Sequence, residues 1–420
     1  MEVNTKINGI SPPETSFKIT KELLELAFNR KCYPSSSPGP REFLDGGFTK
    51  ELFMYQQFLP KLKKLAAESG AENVVDLSVV PVHAGSVAGQ PSKFTNTPWS
   101  SESFMLMTDL NKTSGFTMAD RIQGLDLDQT KIAMEEIAKL HALSWAYKQK
   151  NGLNLLITKY PQLLSEMDTN SDPDLIGMGP LMTHLSASCY KMVEEKLGAS
   201  HPACKSFKHF IARCGMETMS AFLHKNQIDE KSMESLLRIQ PDEDKDYNYE
   251  PWLVGSHGDC WLNNLLFRYN DQGKPVAVTL VDYQFAREAC PTVDLAYFLY
   301  ASIRPVIRIQ KLDELLQVYH DAFVRYCEAL QVNLLPGFSL ETLKRRFHRA
   351  HIFGLVLSII FLIVVLKPKQ NGAKVTNGHK VELKHGETLF RSLMEGMDQN
   401  ELLKDEISSI VLHLYEIGVI

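Results

Sequence analysis

The stretch from residue 257 to residue 284, HGDCWLNNLLFRYNDQGKPVAVTLVDYQ, constrains the fold more than any other part of the sequence. It contains two apolar, strand-like runs, 265–269 and 275–281, separated by the turn-forming residues Asn-Asp-Gln-Gly. This pattern predicts a β-hairpin that closes near residue 272. The chain must therefore place a pair of antiparallel strands among its other elements.

The predicted hairpin brings three polar side chains to its open end. Asn264 precedes the first strand and Asp282 follows the second, so the two lie roughly opposite each other. Asp259 lies in the loop that leads into the first strand. Two carboxylates and an amide oxygen are hard ligands that suit Mg²⁺ holding phosphates, and they suit phosphoryl transfer. The alternative is that the two aspartates are a turn residue and a strand-end cap.

The composition is that of an ordinary globular protein. The chain has 420 residues, of which 44% are hydrophobic and 23% are charged, and this length buries a sizeable core without disulfides. The net charge of −5 argues against a broadly basic surface for nucleic acid. We interpret the basic run KRRFHR at 344–349 as a solvated helix face.

Three features bear on where the protein works. The seven cysteines are widely spaced and include no CxxC pair, which predicts reduced thiols in a cytoplasmic protein. The polar N-terminus has no apolar segment typical of a secretory signal. The uncharged stretch 352–366 is shorter than the ~20 residues that span a bilayer. It predicts a buried core helix, and a membrane anchor is the alternative.

Apolar periodicity predicts a mainly helical chain with a few strands. Pro60 is expected to kink or divide the helix that contains it. The helices are predicted at 21–28, 48–67, 128–147, 179–197, 203–225, 229–237, 293–302, 309–330, 340–366 and 400–417. Outside the hairpin, the strands are predicted at 74–82 and 104–107.

Several motifs together resemble one family. HGDCWLNN at 257–264 and DYQ at 282–284 resemble the catalytic loop and metal motif of the choline kinase and aminoglycoside phosphotransferase group. The resemblance is closer to the ecdysteroid-kinase-like, or CHK-kinase-like, family. PTVDLAY at 291–297 is similar to the family's P-x-x-D-L-A-Y/F, and LMTDL at 106–110 resembles its hinge. The resemblance covers about residues 48–420.

This resemblance implies an α+β, bilobal, protein-kinase-like fold. The small, reduced, β-containing N-lobe would comprise residues 1–110. The large helical C-lobe would comprise residues 111–420 and carry the catalytic hairpin 257–284. The implied cofactors are ATP and Mg²⁺, and the implied substrate is a small hydrophobic alcohol, ecdysteroid or xenobiotic in type. We expect a monomer with no nucleic-acid partner and no membrane span.

The resemblance also assigns roles to the residues of the hairpin mouth. Asp259 would be the catalytic-loop aspartate, and Asn264 would bind metal or phosphate. Asp282 would be the principal Mg²⁺ ligand, and His257 would brace the loop rather than transfer protons. Asp294 would be structural, a role compatible with an N-cap.

Other residues would bind the nucleotide. The main chain around Met107, Asp109 and Leu110 would contact the adenine. Glu51 would pair with a phosphate-binding lysine, for which Lys31 is the candidate. The alternatives are an ordinary exposed helix glutamate and a surface lysine.

The sequence departs from the family pattern near its start. Between residues 17 and 31 there is no G-x-x-x-x-G hairpin of the kind that covers the phosphates. Because positioning of the phosphates dominates phosphoryl transfer, two functions remain open. One is an ATP-dependent phosphotransferase, and the other is a non-catalytic kinase-like ligand-binding protein. A metal-dependent phosphohydrolase would need further histidine ligands, and none is close in sequence.

Overall fold

The structure is a computed structural model that describes residues 40–87, 103–163, 173–213, 252–366 and 397–420. Lys31 and the helices predicted at 21–28 and 229–237 lie outside the described residues. The helix predicted at 203–225 is described only as far as residue 213.

Helices make up most of the described chain. The α-helices are α1 (Pro40–Phe53), α2 (Leu59–Glu68), α3 (Leu110–Ser114), α4 (Leu127–Lys150), α5 (Pro173–Leu197), α6 (Pro202–Arg213), α7 (Pro291–Ser302), α8 (Pro305–Ala329), α9 (Leu340–Val365) and α10 (Glu401–Glu416). Helix α4 packs against α8, and α7 packs against α9. The prediction of a mainly helical chain is confirmed for the described residues.

The strands form three small antiparallel sheets within the described residues. The strands are β1 (Val82–Ser86), β2 (Phe104–Met107), β3 (Thr117–Met118), β4 (Val254–Ser256), β5 (Leu265–Tyr269), β6 (Pro275–Leu280) and β7 (Arg287–Ala289). β1 pairs with β2, β4 pairs with β7, and β5 lies between β3 and β6. The chain is thus a mixed helix and strand protein in which the sheets are small.

The hairpin predicted from the sequence is confirmed. Leu265 pairs with Leu280, and the ladder continues towards the turn at Asn270. The main-chain N–H of Val281 donates to the carbonyl of Asn264 at 3.0 Å, which closes the open end. Asn264 and Asp282 are therefore held at the same mouth of the hairpin.

The uncharged stretch 352–366 belongs to the core. Ile352, Leu355 and Ile359 on α9 are buried, and this helix packs on α7. The prediction of a buried core helix is therefore confirmed. Among the described residues, no helix combines the length and the apolar character that crossing a membrane requires.

The helix that contains Pro60 is divided as expected, by a π-helical turn. The five residues Met54–Phe58 form a π-helical turn between α1 and α2. Pro60 then lies in the first turn of α2, where the missing N–H of proline is tolerated. The helix begins at residue 40, earlier than predicted.

The prediction of a strand over residues 74–82 is wrong for all but the last residue. The chain is irregular up to residue 81, and the strand begins only at Val82. Side chains satisfy the main-chain groups that a partner strand would otherwise bind. Glu136 Oε1 accepts from Ser78 N at 2.8 Å, and the Thr279 hydroxyl donates to Ser78 O at 2.9 Å. Val75 and Val80 of this run therefore pack into the core without forming a ladder.

One exposed turn carries backbone strain and yields a stability prediction. Gln331 follows α8 with φ of 57°, a left-handed conformation in which glycine has no steric cost. We expect Gln331→Gly to raise the free energy of unfolding by about 0.5–1 kcal/mol, since relief of strain exceeds the added entropy of the unfolded chain. Urea denaturation would measure the change, with Gln331→Ala as the control. A lower unfolding free energy for the glycine variant would contradict the assignment of strain.

Candidate active site

Helix α7 holds the backbone of the loop that contains Asp259. The buried carboxylate of Asp294, in the first turn of α7, accepts from His257 N at 2.7 Å and from Gly258 N at 2.9 Å. Cys290 occupies the N-cap position of this helix, so Asp294 is not the cap. Asp294 instead fixes two consecutive peptide groups of the loop.

A buried chain of hydrogen bonds supports Asp294. His141 Nε2 lies 3.0 Å from Asp294 Oδ2, and His141 Nδ1 lies 2.8 Å from the Tyr319 hydroxyl. Burial opposes ionisation of Asp294, but the hydrogen bond from His141 and nearby positive charge outweigh it, so the pKa of Asp294 is lowered. The anchor of the loop is therefore a charged carboxylate joined to α4 and α8.

His257 links the loop to Val281, the residue that follows β6. Its Nε2–H donates to the carbonyl of Val281 at 3.0 Å, and its Nδ1 accepts from Asp259 N at 3.3 Å. Burial lowers the pKa of His257 to about 4. A neutral imidazole with both nitrogens engaged supports a bracing role rather than proton transfer.

Asp259 is held from two sides. Its Oδ1 accepts from the Tyr297 hydroxyl at 2.5 Å, and its Oδ2 accepts from Asn264 Nδ2 at 2.9 Å. Burial raises the pKa of Asp259 to about 6, and the neighbouring charge of Asp282 adds to the rise while both hydrogen bonds oppose it. A fixed carboxylate of raised basicity suits a group that accepts a proton.

Asn264 has a fixed orientation. Besides Asp259 Oδ2, its Nδ2 donates to the main-chain oxygen of Asp259 at 2.9 Å. The side chain is buried at the mouth of the hairpin. Because Nδ2 donates both of these hydrogen bonds, the amide oxygen is the atom of Asn264 suited to bind a cation.

Asp282 adopts a strained backbone conformation. Its φ of 67° and ψ of 65° lie in the left-handed region, which a non-glycine residue enters at a cost of about 1–2 kcal/mol. Strain of this kind concentrates at functional sites, where a side chain must be kept in place. The conformation positions a carboxylate two residues after β6 and close enough to Asp259 to affect its pKa.

Position 258 requires a glycine, because there is no room for a side chain there. It has a φ of 82°, and a Cβ at this position would lie 1.9 Å from the carbonyl oxygen of Phe285. Arg287 Nη1 also reaches the Gly258 carbonyl at 3.4 Å. The loop before the hairpin therefore lies in contact with the segment that follows Asp282.

Helix α1 and the π-helical turn bring Glu51 towards the same region. α1 packs against residues 283–285, directly after Asp282. Burial raises the pKa of Tyr55 well above its usual value, and the charges of Glu51 and Asp282 add to the rise. The two carboxylates thus lie near one phenol, although Lys31, the predicted partner of Glu51, is outside the described residues.

The predicted adenine-binding segment lies at the end of β2. Met107 is the last residue of this strand, and Thr108 N donates to Pro81 O at 3.0 Å. The side chain of Asp109 caps α3 by accepting from the main-chain N–H groups of Asn111 and Lys112. Leu110 begins α3 and is half-buried. The Asp109 carboxylate is therefore engaged in capping.

The acidic mouth fits a divalent cation by its donor chemistry. Burial is the main cause of the raised pKa of Asp259, and the negative charge of Asp282 adds to it, so a bound cation would offset this repulsion. Asp282 together with the Asn264 amide oxygen offers hard ligands for Mg²⁺. No group of three or more His, Cys, Asp or Glu side chains among the described residues forms a self-contained metal site.

Sequence reasoning missed the role of Tyr297. The residue lies three positions after Asp294, and this spacing places both on one face of α7. Because Asp294 was already expected to be structural, this spacing was the available signal that Tyr297 also faces the loop. Sequence reasoning also missed Arg287 and Tyr55, whose proximity to the site depends on tertiary packing.

A mainly helical chain with small sheets and an acidic hairpin mouth is consistent with the kinase-like class of proteins. The family model described as the ecdysteroid kinase-like family matches residues 30–332. Since this match covers well over half of the 420 residues, the chain belongs to the ecdysteroid kinase-like family. No curated protein matches the chain.

Proposed function

We propose that the protein is an ATP-dependent phosphotransferase that moves the γ-phosphate to a hydroxyl of a small hydrophobic alcohol. The observation that carries this proposal is the pairing of a fixed, basic Asp259 with a strained Asp282 at one hairpin mouth. Membership of the ecdysteroid kinase-like family supports an acceptor of ecdysteroid or xenobiotic type.

The residues of the mouth divide the chemistry between them. Asp259 would accept the proton of the acceptor hydroxyl. Asp282 and the Asn264 amide oxygen would hold Mg²⁺, whose charge would stabilise the phosphates of ATP. His257 would keep the loop in register with β6 through its bond to Val281.

The proposed nucleotide site lies between two lobes, residues 1–110 and 111–420. The main chain of Met107, Asp109 and Leu110 would contact the adenine, and Glu51 would pair with Lys31. The position of α1 beside residues 283–285 supports this arrangement, because it brings Glu51 towards the metal end of the site.

We also propose a cytoplasmic location. The cysteines within the described residues, Cys189, Cys204, Cys260, Cys290 and Cys327, are all buried free thiols. Buried, unpaired thiols are typical of proteins from a reducing compartment.

The second candidate is a non-catalytic kinase-like ligand-binding protein. It is favoured by the stretch between residues 17 and 31, which contains no G-x-x-x-x-G motif of the kind that covers the phosphates. Within the described part of residues 1–110, the strands are β1 and β2 alone. The two candidates differ in turnover and share the ability to bind a ligand.

Asp282→Asn tests the proposed metal site. Asparagine tolerates the left-handed conformation, so the backbone is expected to stay in place while the carboxylate charge is lost. We expect Mg²⁺-dependent binding of ATP to weaken at least tenfold, because a principal ligand is removed. Calorimetric titration with Mg·ATP measures this directly.

The matched control is Asp271→Asn, the same chemical change at the exposed turn of the hairpin. It should bind Mg·ATP as the unaltered chain does. Equal Mg²⁺ dependence in the Asp282 variant and the control would remove Asp282 from the metal site. Failure of the unaltered chain to bind Mg·ATP would overturn the proposed function itself.

A further inference from the structure

The hydroxyl of Tyr297 makes a short contact with the candidate base. It donates to Asp259 Oδ1 at 2.5 Å, and Tyr297 as a residue is only 3% exposed. Burial raises the pKa of Tyr297 well above its usual value, and the charge of Asp259 adds to the rise, so the phenol stays protonated and donates. Asn264 holds the other oxygen, Oδ2.

One face of α7 therefore binds both the main chain and a side chain of the loop. Asp294 binds the main chain at His257 and Gly258, and Tyr297, one turn later on α7, binds the side chain of Asp259. A carboxylate bonded through only one oxygen can rotate about its bond to Cβ. A carboxylate bonded through both oxygens to separate groups is held in one plane.

We propose that Tyr297 is a positioning residue for phosphoryl transfer, whose hydroxyl fixes the plane of the Asp259 carboxylate towards the acceptor. This inference rests on the proposed function. Each carboxylate oxygen accepts more than one hydrogen bond, so the bonds from Tyr297 and Asn264 leave capacity for the acceptor.

The step that depends on this orientation conserves atoms and charge. The acceptor oxygen forms a bond to the γ-phosphorus, and the acceptor proton passes to Asp259. The bond from the γ-phosphorus to the bridging oxygen breaks, and its electron pair leaves with ADP. A displacement of about 1 Å in a reacting group costs on the order of 10²-fold in rate, so the plane of Asp259 matters.

Tyr297→Phe tests the inference, with Tyr300→Phe as the matched control. Both residues lie on α7 and are buried, and the Tyr300 hydroxyl bonds His351 Nδ1 at 2.7 Å, away from Asp259. The probe is Mg·ATP with water as the acceptor, followed by phosphate release. We expect kcat of the Tyr297 variant to fall at least tenfold below the control, with KM for Mg·ATP and the melting temperature matching the control.

A combined variant separates positioning from a general structural effect. In the Asp259→Asn background, Tyr297→Phe should cause no further loss of kcat, because Tyr297 acts through Asp259. Additive losses, or a kcat equal to that of the Tyr300 variant, would overturn the positioning role. Either of these results would leave the proposed function in place, whereas an unaltered chain that does not bind Mg·ATP would overturn the proposed function as well.

Discussion

Asp259→Asn is expected to lower the rate of phosphoryl transfer by roughly 10²- to 10⁴-fold, the range that general base catalysis contributes. Asparagine has nearly the shape of aspartate. Its side-chain oxygen can accept from Asn264 Nδ2, and its nitrogen can donate to the Tyr297 hydroxyl. It has no basic carboxylate to accept the acceptor proton. Measurement of kcat by ADP release, together with the Kd for Mg·ATP, would check both halves of the expectation.

The affinity of the Asp259 variant for Mg·ATP provides the internal control. Because Asp259 is assigned to proton transfer and Asp282 to the metal, Mg·ATP should bind the Asp259 variant with an affinity close to that of the unaltered chain. Asp271→Asn should change neither rate nor affinity. Turnover of the Asp259 variant within a few-fold of the unaltered chain would remove Asp259 from the chemistry.

Gly258→Ala is expected to lower the free energy of unfolding by about 2–4 kcal/mol. The left-handed conformation at φ of 82° costs an alanine roughly 1–2 kcal/mol, and the added Cβ meets a main-chain oxygen that cannot swing away. Denaturant unfolding would measure the loss. Turnover should fall with it, since the loop that carries Asp259 must shift.

Gly273→Ala separates the two contributions. Gly273 has a similar φ of 74° but no atom within 4 Å of the Cβ position, so only the conformational cost of about 1–2 kcal/mol applies. The Gly258 variant should therefore be clearly the less stable of the two. Equal stability would mean that the contact with Phe285 is not a constraint on the loop.

The sequence was sufficient to predict features that depend on local chemistry. The turn residues around Asn270 and the flanking apolar runs predicted the hairpin, and the hairpin alone placed Asn264 and Asp282 at the same open end. The position of Pro60 predicted an interruption between α1 and α2, although not the π-helical turn that makes it. In these cases the determining contacts are close along the chain.

Features that depend on distant partners could not be predicted in this way. The strand expected at 74–82 failed because side chains from elsewhere, including Glu136, bind its main chain. The bond from Tyr297 to Asp259 joins residues 38 positions apart. The left-handed conformation of Asp282 was not predicted either, because no local sequence pattern marks a non-glycine residue for it.

The most direct test of the account follows the γ-phosphate itself. The chain would be incubated with Mg·ATP labelled at the γ-phosphate and a panel of ecdysteroids and other hydrophobic alcohols, and the products separated by mass. The account predicts a phosphorylated alcohol that forms in step with ADP and is lost in the Asp259→Asn variant. Full binding of Mg·ATP with neither ADP nor a phosphorylated product would contradict it and identify the chain as a non-catalytic binding protein.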